Sequence, residues 1–347
     1  MAQPFSFGFS GDDIEDDPND VMNHDENIGI ESVGSNDPPP IEARTHDLYE
    51  LLSTVPDKLS YTTLSITSPK GFTIRVPRRE LFDVRIQLMA EDDGTSLDAL
   101  SGLDDLDVKT NIYEGGYKTW ECSIDLVKFL LDRGPRKDLD DLVRVDHVIE
   151  MGCGTALPSL LLFHYALKNA VPLYITLTDY NADVLRLVTL PNLLLTFAST
   201  LPEHSGQFTD SDSGDIEVTE ELKRAFKSAL TSLPITLTLL SGSWTPVPRL
   251  LSLIPTATEM NTFILASETI YSPASLAAFT EAMAALLGRV KSGKAVVAAK
   301  RVYFGVGGSI DEFREECARK GCVAYEMELE GLEGVGVRRC LVEVQMY

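Results

Sequence analysis

The sequence contains no Cys-x-x-Cys pair, and its five cysteines (Cys122, Cys153, Cys317, Cys322 and Cys340) are scattered and odd in number. This argues against a disulfide framework and against a thiolate zinc site, and no metal is expected. Cys317 and Cys322 fall in an expected helix and the strand after it, where a thiol packs as a small apolar group. No run of about 18 apolar residues occurs, so no membrane span is expected. The N-terminus lacks the basic stretch that opens a secretory signal. A reducing compartment follows as the expectation: cytoplasm, nucleus or both. Positive charge is scarce too, with 30 Lys and Arg against 53 Asp and Glu. A nucleic-acid binder needs a basic face, so no direct nucleic-acid contact is expected. The histidines (His24, His46, His147, His164 and His204) are dispersed, and none is assigned a catalytic role.

The acid excess is uneven. Residues 1–50 hold thirteen acidic residues and one basic residue, Arg44, so −12 of the formal −23 lies there. Residues 1–45 are rich in Asp, Asn, Gly and Pro, a composition that cannot bury enough apolar surface to offset chain entropy, and they are expected to form a disordered acidic tail. Such a tail either steers a basic protein partner or only solubilises the chain. Within it, Phe5-Ser6-Phe7-Gly8-Phe9 places three aromatics at period two, suiting a short strand, a docking motif or an incidental cluster. Residues 46–119 alternate short β-like runs (64–67 and 72–76) with polar turns and read as an N-terminal extension and lid. Asp92 to Asp107 is expected to be mobile. The main domain is expected over 120–347, with an insertion at 199–233 that carries a surface helix near 220–230.

From residue 120 the pattern is regular. Strands are expected at 145–151, 173–178, 235–240, 262–267, 294–303, 322–329 and 336–345. Helices are expected at 123–132, 156–168, 183–198, 274–289 and 309–320. Alternation of this kind gives a parallel sheet covered on both faces. Only Glu330–Val335 separates the last two strands, which suits an antiparallel hairpin rather than a crossover. The expected fold class is therefore α/β, Rossmann-like and seven-stranded, mostly parallel with an antiparallel C-terminal edge hairpin.

The first strand ends in Glu150-Met151-Gly152-Cys153-Gly154 and opens a helix. The glycines let the backbone approach a ligand, and the helix start presents free N–H groups. A dinucleotide fingerprint needs glycine where Leu157 stands, and Glu150 would repel a pyrophosphate. A carboxylate better suits a cation, and S-adenosylmethionine carries both an ammonium and a sulfonium. The competing reading is a turn without a ligand. The second strand ends in Asp179-Tyr180-Asn181, where an acid can accept two ribose hydroxyls or merely cap the next helix. Trp244, after Ser241-Gly242-Ser243, can wall an adenine or fill the core. Ser267-Glu268-Thr269-Ile270-Tyr271 emerges at the same crevice, with Glu268 and Tyr271 favoured for orienting a substrate over capping. Tyr113 to Cys122 suggests a lid. Tyr303-Phe304-Gly305-Val306-Gly307-Gly308 reads as a substrate mouth or a plain loop.

These motifs, with Trp120-Glu121-Cys122 and Thr189-Leu190-Pro191-Asn192, resemble the eukaryotic protein-histidine N-methyltransferases that modify a large-subunit ribosomal protein. The resemblance covers residues 111–345, and Phe5 to Phe9 also looks like the family's aromatic start. It implies S-adenosylmethionine as cofactor, with Trp120, Glu150, Gly152, Gly154, Asp179, Asn181, Ser243, Trp244 and Ser267 at its site. Glu268 and Tyr271 are the implied catalytic pair. Glu150 stands where relatives often carry Asp, and Ser243 where an acid is common. The implied partner is the third large-subunit ribosomal protein, methylated on a histidine at the tele nitrogen by a monomer. Two alternatives are a lysine methyltransferase of the same group and a non-catalytic adenosyl-binding chaperone of a ribosomal protein.

Overall fold

The computed structural model describes residues 40–91, 116–134, 144–330 and 337–347. The expectations for Phe5 to Phe9, Asp92 to Asp107, Tyr113 to Gly115 and the loop 331–335 lie outside the described residues. The N-terminal elements are β1 (Arg44–His46), α1 (Leu48–Ser53), β2 (Lys58–Thr67), β3 (Thr73–Arg79) and α2 (Leu81–Glu91). Then come α3 (Glu121–Arg133), β4 (His147–Met151), α4 (Leu157–Asn169), β5 (Leu173–Asp179) and α5 (Ala182–Thr200). They are followed by α6 (Pro202–Asp210), β6 (Ser213–Glu217), α7 (Glu220–Ser232), β7 (Ile235–Ser241), α8 (Val247–Leu253), β8 (Thr262–Ser267) and α9 (Pro273–Gly288). The chain closes with β9 (Gly293–Lys300), α10 (Ile310–Arg319), β10 (Cys322–Met327) and β11 (Arg339–Met346).

The main sheet has the order β1-β7-β5-β4-β8-β9-β11-β10. Strands β7, β5, β4, β8 and β9 are parallel, while β11 and β10 add antiparallel to β9. These are the seven expected strands. The eighth, β1, pairs antiparallel with the outer edge of β7 and crosses the boundary drawn at residues 45 and 46. Three polar residues carry no readable periodicity, so only its partner reveals this strand. Chain order reverses between β4 and β8, which opens a crevice beyond the strands' C-terminal ends.

Period-two alternation feeds two apolar layers. On β4, Val148 joins the cluster containing Leu126, Leu160, Phe163, Leu193 and Phe226 on one face. Ile149 and Met151 join Ile264, Phe279, Met283 and Phe313 on the other. All five cysteines are buried and unpaired in the structure.

A second, antiparallel sheet runs β3-β2-β6. Its third strand comes from the 199–233 insertion, where no strand is expected because Ser213-Gly214-Asp215-Ile216-Glu217 offers one apolar side chain. Ile216 is buried, and Gly214 leaves room for Tyr61, whose Oη would lie 2.9 Å from a Cβ there. The insertion and the extension are thus joined by backbone pairing.

Helix α5 is long and apolar enough to cross a membrane by composition, but 78% of its most apolar window is buried in the fold. It carries a π-turn over Leu185–Thr189. Pro191, four residues after Leu187, has no N–H to give that carbonyl. Arg79 donates to the Leu187 carbonyl instead, at 2.9 Å.

Candidate functional site

At the switch point a cleft of about 710 Å³ opens over the ends of β4, β5, β7 and β8. Its floor is the turn from β4 to α4. Gly152 and Gly154 have φ of +67° and +51°, and a Cβ on Gly154 would lie 3.2 Å from the Gly116 carbonyl. The backbone at Gly116 therefore lies directly against the turn. Thr189 Oγ1 donates to the Gly154 carbonyl at 2.7 Å, and Asn192 Nδ2 donates to the Thr155 carbonyl at 3.0 Å. Asn192 also accepts from the Arg79 backbone N–H at 2.7 Å. The Thr189 to Asn192 motif, which had no role assigned from sequence, is thus the underside support of the glycine turn.

Nine of the eleven expected site residues line the cleft: Trp120, Gly152, Gly154, Asp179, Ser243, Trp244, Ser267, Glu268 and Tyr271. Asn181 and Glu150 do not. Asp179 is buried, and its Oδ2 accepts from the Gly154 N–H at 3.0 Å. Its Oδ1 accepts from the Asn181 N–H at 3.0 Å. Asn181 therefore orients Asp179 from the start of α5. Glu150 is buried behind the turn, where Oε2 accepts from the Ser159 N–H at 3.0 Å and Oε1 has no partner. Ala156, at the helix N-cap, has no acceptor side chain, so Glu150 satisfies that orphan donor. Burial pushes its pKa up to about 8. Its sequence position was right for the strand end, but period two aimed it away from the cleft.

Trp244 both faces the cleft and packs against the core. It lines the cleft, donates from Nε1 to Thr178 Oγ1 at 3.2 Å, and packs edge-on against Phe279 at 5.6 Å.

The opposite end of the cleft is held by Glu268. Its φ is +58°, a left-handed conformation that a side-chain-bearing residue adopts under constraint. The side chain is 8% exposed, and Oε1 has no hydrogen-bond partner. Around it stand Cys122, Tyr303 and Lys300. Lys300 Nζ lies 3.8 Å from Glu268 Oε1 and over the rings of Trp120 and Tyr303, at 5.4 and 5.8 Å from their centres. Burial and the neighbouring carboxylate push the Cys122 and Tyr303 pKa values up, so both stay protonated. Sequence reasoning missed Lys300. The available signal was its position at a strand end beside the crevice, the same rule that selected Glu268.

The Tyr303 to Gly308 loop is locked to the Glu268 to Tyr271 segment. Gly308 N–H donates to the Tyr271 carbonyl at 3.1 Å, and Tyr303 N–H to the Gly308 carbonyl at 2.8 Å. A Cβ at Gly308 would lie 1.9 Å from the Ile270 carbonyl, so only glycine fits. Beyond the loop's start, Phe304 and Val306 stand exposed at the cleft mouth.

The cleft volume falls in the roughly 300–1,000 Å³ range of small-molecule sites. The close glycine turn, the acid at the end of β5 and the Trp wall fit an adenosyl group with a charged tail. Among the described residues, no cluster of His, Cys, Asp and Glu is arranged to hold a metal.

No protein-family model matches the chain. It is 38% identical over 318 residues to histidine protein methyltransferase 1 of Schizosaccharomyces pombe, covering 90% of this chain and 84% of that protein. It is 37% identical over 343 residues to histidine protein methyltransferase 1 of Saccharomyces cerevisiae, covering 89% of each. Among solved structures it is similar to the CurJ carbon methyltransferase, at 12% identity and a TM-score of 0.35, over 65% of this chain and 53% of that one.

Proposed function

The chain belongs to the histidine protein methyltransferase 1 family, and we propose that its substrate is a histidine of the third large-subunit ribosomal protein, methylated at the tele nitrogen. The reaction is S-adenosylmethionine-dependent protein histidine methylation. On this reading Asp179 accepts the ribose hydroxyls and Trp244 walls the adenine. Gly152, Gly154, Ser243, Ser267 and Trp120 surround the rest of the cofactor. Glu150 and Asn181 act one layer behind, through the turn and through Asp179. The enzyme works as a monomer in the cytoplasm and nucleus.

The observation that carries the reading is the buried Oε1 of Glu268 at the cleft, which has no hydrogen-bond partner. A neutral imidazole has one nitrogen with a lone pair and one with a proton. An acceptor that holds the N–H selects the other nitrogen as nucleophile, and needs no strong base to do so. S-adenosylmethionine supplies an electrophilic methyl whose bond to sulfur breaks with the electron pair going to sulfur. Positive charge then develops on the ring, and on this reading Glu268 stabilises it and accepts the N–H proton. Tyr271, on the same segment, lines the cleft beside it.

The test is incubation of the chain with labelled S-adenosylmethionine and purified large-subunit ribosomal proteins, followed by site mapping by mass spectrometry. A single methylhistidine in the third protein is expected. Methyl-lysine would assign the lysine reading, and cofactor binding without transfer the chaperone reading. Glu268→Gln should lower turnover by roughly 100-fold or more while calorimetric cofactor affinity holds. An affinity that collapses with turnover would remove Glu268 from the substrate side.

A further inference from the structure

We propose that Lys300 is a specificity-determining residue: a resident counter-cation that makes the acceptor site charge-neutral, so that it admits a neutral imidazole and rejects protonated side chains. The proposal rests on the histidine reading of the same site.

A lone buried carboxylate attracts any cation. Protein substrates present many lysine ammonium groups, and a bare Glu268 would bind them in preference to a neutral ring. The structure places Lys300 Nζ 3.8 Å from Glu268 Oε1, too long for a hydrogen bond but close enough for charge pairing. The ammonium is held by two aromatic faces, Trp120 and Tyr303. That seat keeps the charge beside Oε1 without a hydrogen bond to it, and Oε1 has no hydrogen-bond partner. The backbone fixes the same geometry, since the Lys300 N–H donates to Tyr303 Oη at 3.2 Å.

The other groups facing Glu268 do not supply this charge. Cys122 from α3 and Tyr303 stay protonated and neutral, because burial and Glu268 itself raise both. Arg339 on β11, the next cation behind Cys122, is engaged by Asp125 and Glu121. Lys118 also lines the cleft, but among the described residues the cation within ion-pair distance of Glu268 is Lys300.

The charge count separates binding from transfer. With Glu268 and Lys300 cancelling, a neutral imidazole adds nothing to the site, whereas an ammonium or imidazolium adds an uncompensated positive charge beside Lys300. Methyl transfer moves one positive charge from sulfur to ring and leaves the total unchanged. Lys300 thus opposes binding of a charged substrate, while the reaction adds no net charge to the site. It also disfavours the product imidazolium, promoting transfer of its remaining N–H proton to Glu268 and release of neutral methylhistidine.

The test compares wild type, Lys300→Met and Lys300→Arg, using the histidine peptide mapped in the preceding experiment and the same peptide with lysine at the target position. Calorimetric peptide affinity is read from pH 5 to 8 with S-adenosylhomocysteine present. In wild type, affinity for the histidine peptide falls as pH drops below about 6.5, where imidazole gains its proton. In Lys300→Met that fall disappears, and the lysine peptide binds about tenfold or more tightly than to wild type, from a like charge removed at close range. Lys300→Arg restores the wild-type pattern. Parallel pH profiles in wild type and Lys300→Met, with the lysine peptide still rejected, would overturn the proposal. If wild type binds no histidine peptide at any pH, the histidine reading fails first. Binding of S-adenosylhomocysteine within about threefold across the three proteins shows that the cleft is intact.

Discussion

Two carboxylates at adjacent strand ends, Glu150 and Asp179, look equivalent as letters and are not. Asp179 faces the cleft with both oxygens accepting backbone N–H groups, whereas Glu150 is sealed behind the glycine turn. Asp179→Asn puts a donor where Oδ2 accepts from the Gly154 N–H and where, on the proposed reading, the carboxylate meets the ribose. S-adenosylhomocysteine affinity should fall about 10- to 100-fold, the loss of one charged hydrogen bond, as read by calorimetry. Glu150→Gln keeps the acceptor for Ser159 and should leave affinity within about threefold. Its signature is pH-dependent stability. A carboxyl whose folded pKa is raised to about 8 from an ordinary 4.5 holds a proton that the unfolded chain releases. Its contribution is complete below pH 4.5 and is lost as pH rises towards 8. Urea unfolding should therefore show wild-type stability falling across that window more steeply than Glu150→Gln. Equal slopes would mean that Glu150 ionises freely in the folded protein.

At the scale of elements, the strands and helices of the main domain were readable because apolar runs and helical spacing repeat without interruption from Ser123 onwards. The switch-point crevice followed from their order, and with it the placement of Trp244 and Glu268. Segments that owe their form to a distant partner were not readable. Strand β1 exists because β7 has a free edge, and β6 because β2 does. The direction of Glu150 depended on which strand face packs α4, and Lys300 on two rings from other elements. The Gly305 to Gly308 loop shows the same dependence: its last glycine is dictated by the Ile270 carbonyl, not by its own turn. Gly308→Ala must push that loop away from Tyr271 and disturb Glu268 while leaving the glycine turn of α4 untouched. Turnover should drop at least tenfold, as small misplacements of reacting groups do, with cofactor affinity retained. A variant that loses both together would show that the loop supports the adenosyl end as well.

At the scale of the whole molecule, the extension and the insertion are not appendages. Leu59 and Tyr61 of β2, Phe208 of α6 and Ile216 of β6 share one apolar cluster with Leu160, Phe163 and Phe226, which pack the main sheet. Tyr61 and Phe208 stack with ring centres 4.6 Å apart, and Phe226 bridges Phe163 and Phe197. Asn192 and Arg79 then tie β3 to the glycine turn itself. The small sheet therefore braces the cofactor side of the fold through continuous packing. Leu59 is fully buried, and Leu59→Ala leaves a cavity inside that shared cluster. The variant should lose about 2–5 kcal/mol. The loss should appear as a single calorimetric transition shifted to lower temperature, because one cluster cannot melt in halves. S-adenosylhomocysteine should raise the midpoint of wild type and variant alike, since ligand linkage acts on whichever unit holds the site. Two transitions, with only the ligand-insensitive one moved by Leu59→Ala, would instead make the small sheet an independent unit and sever its brace on the glycine turn.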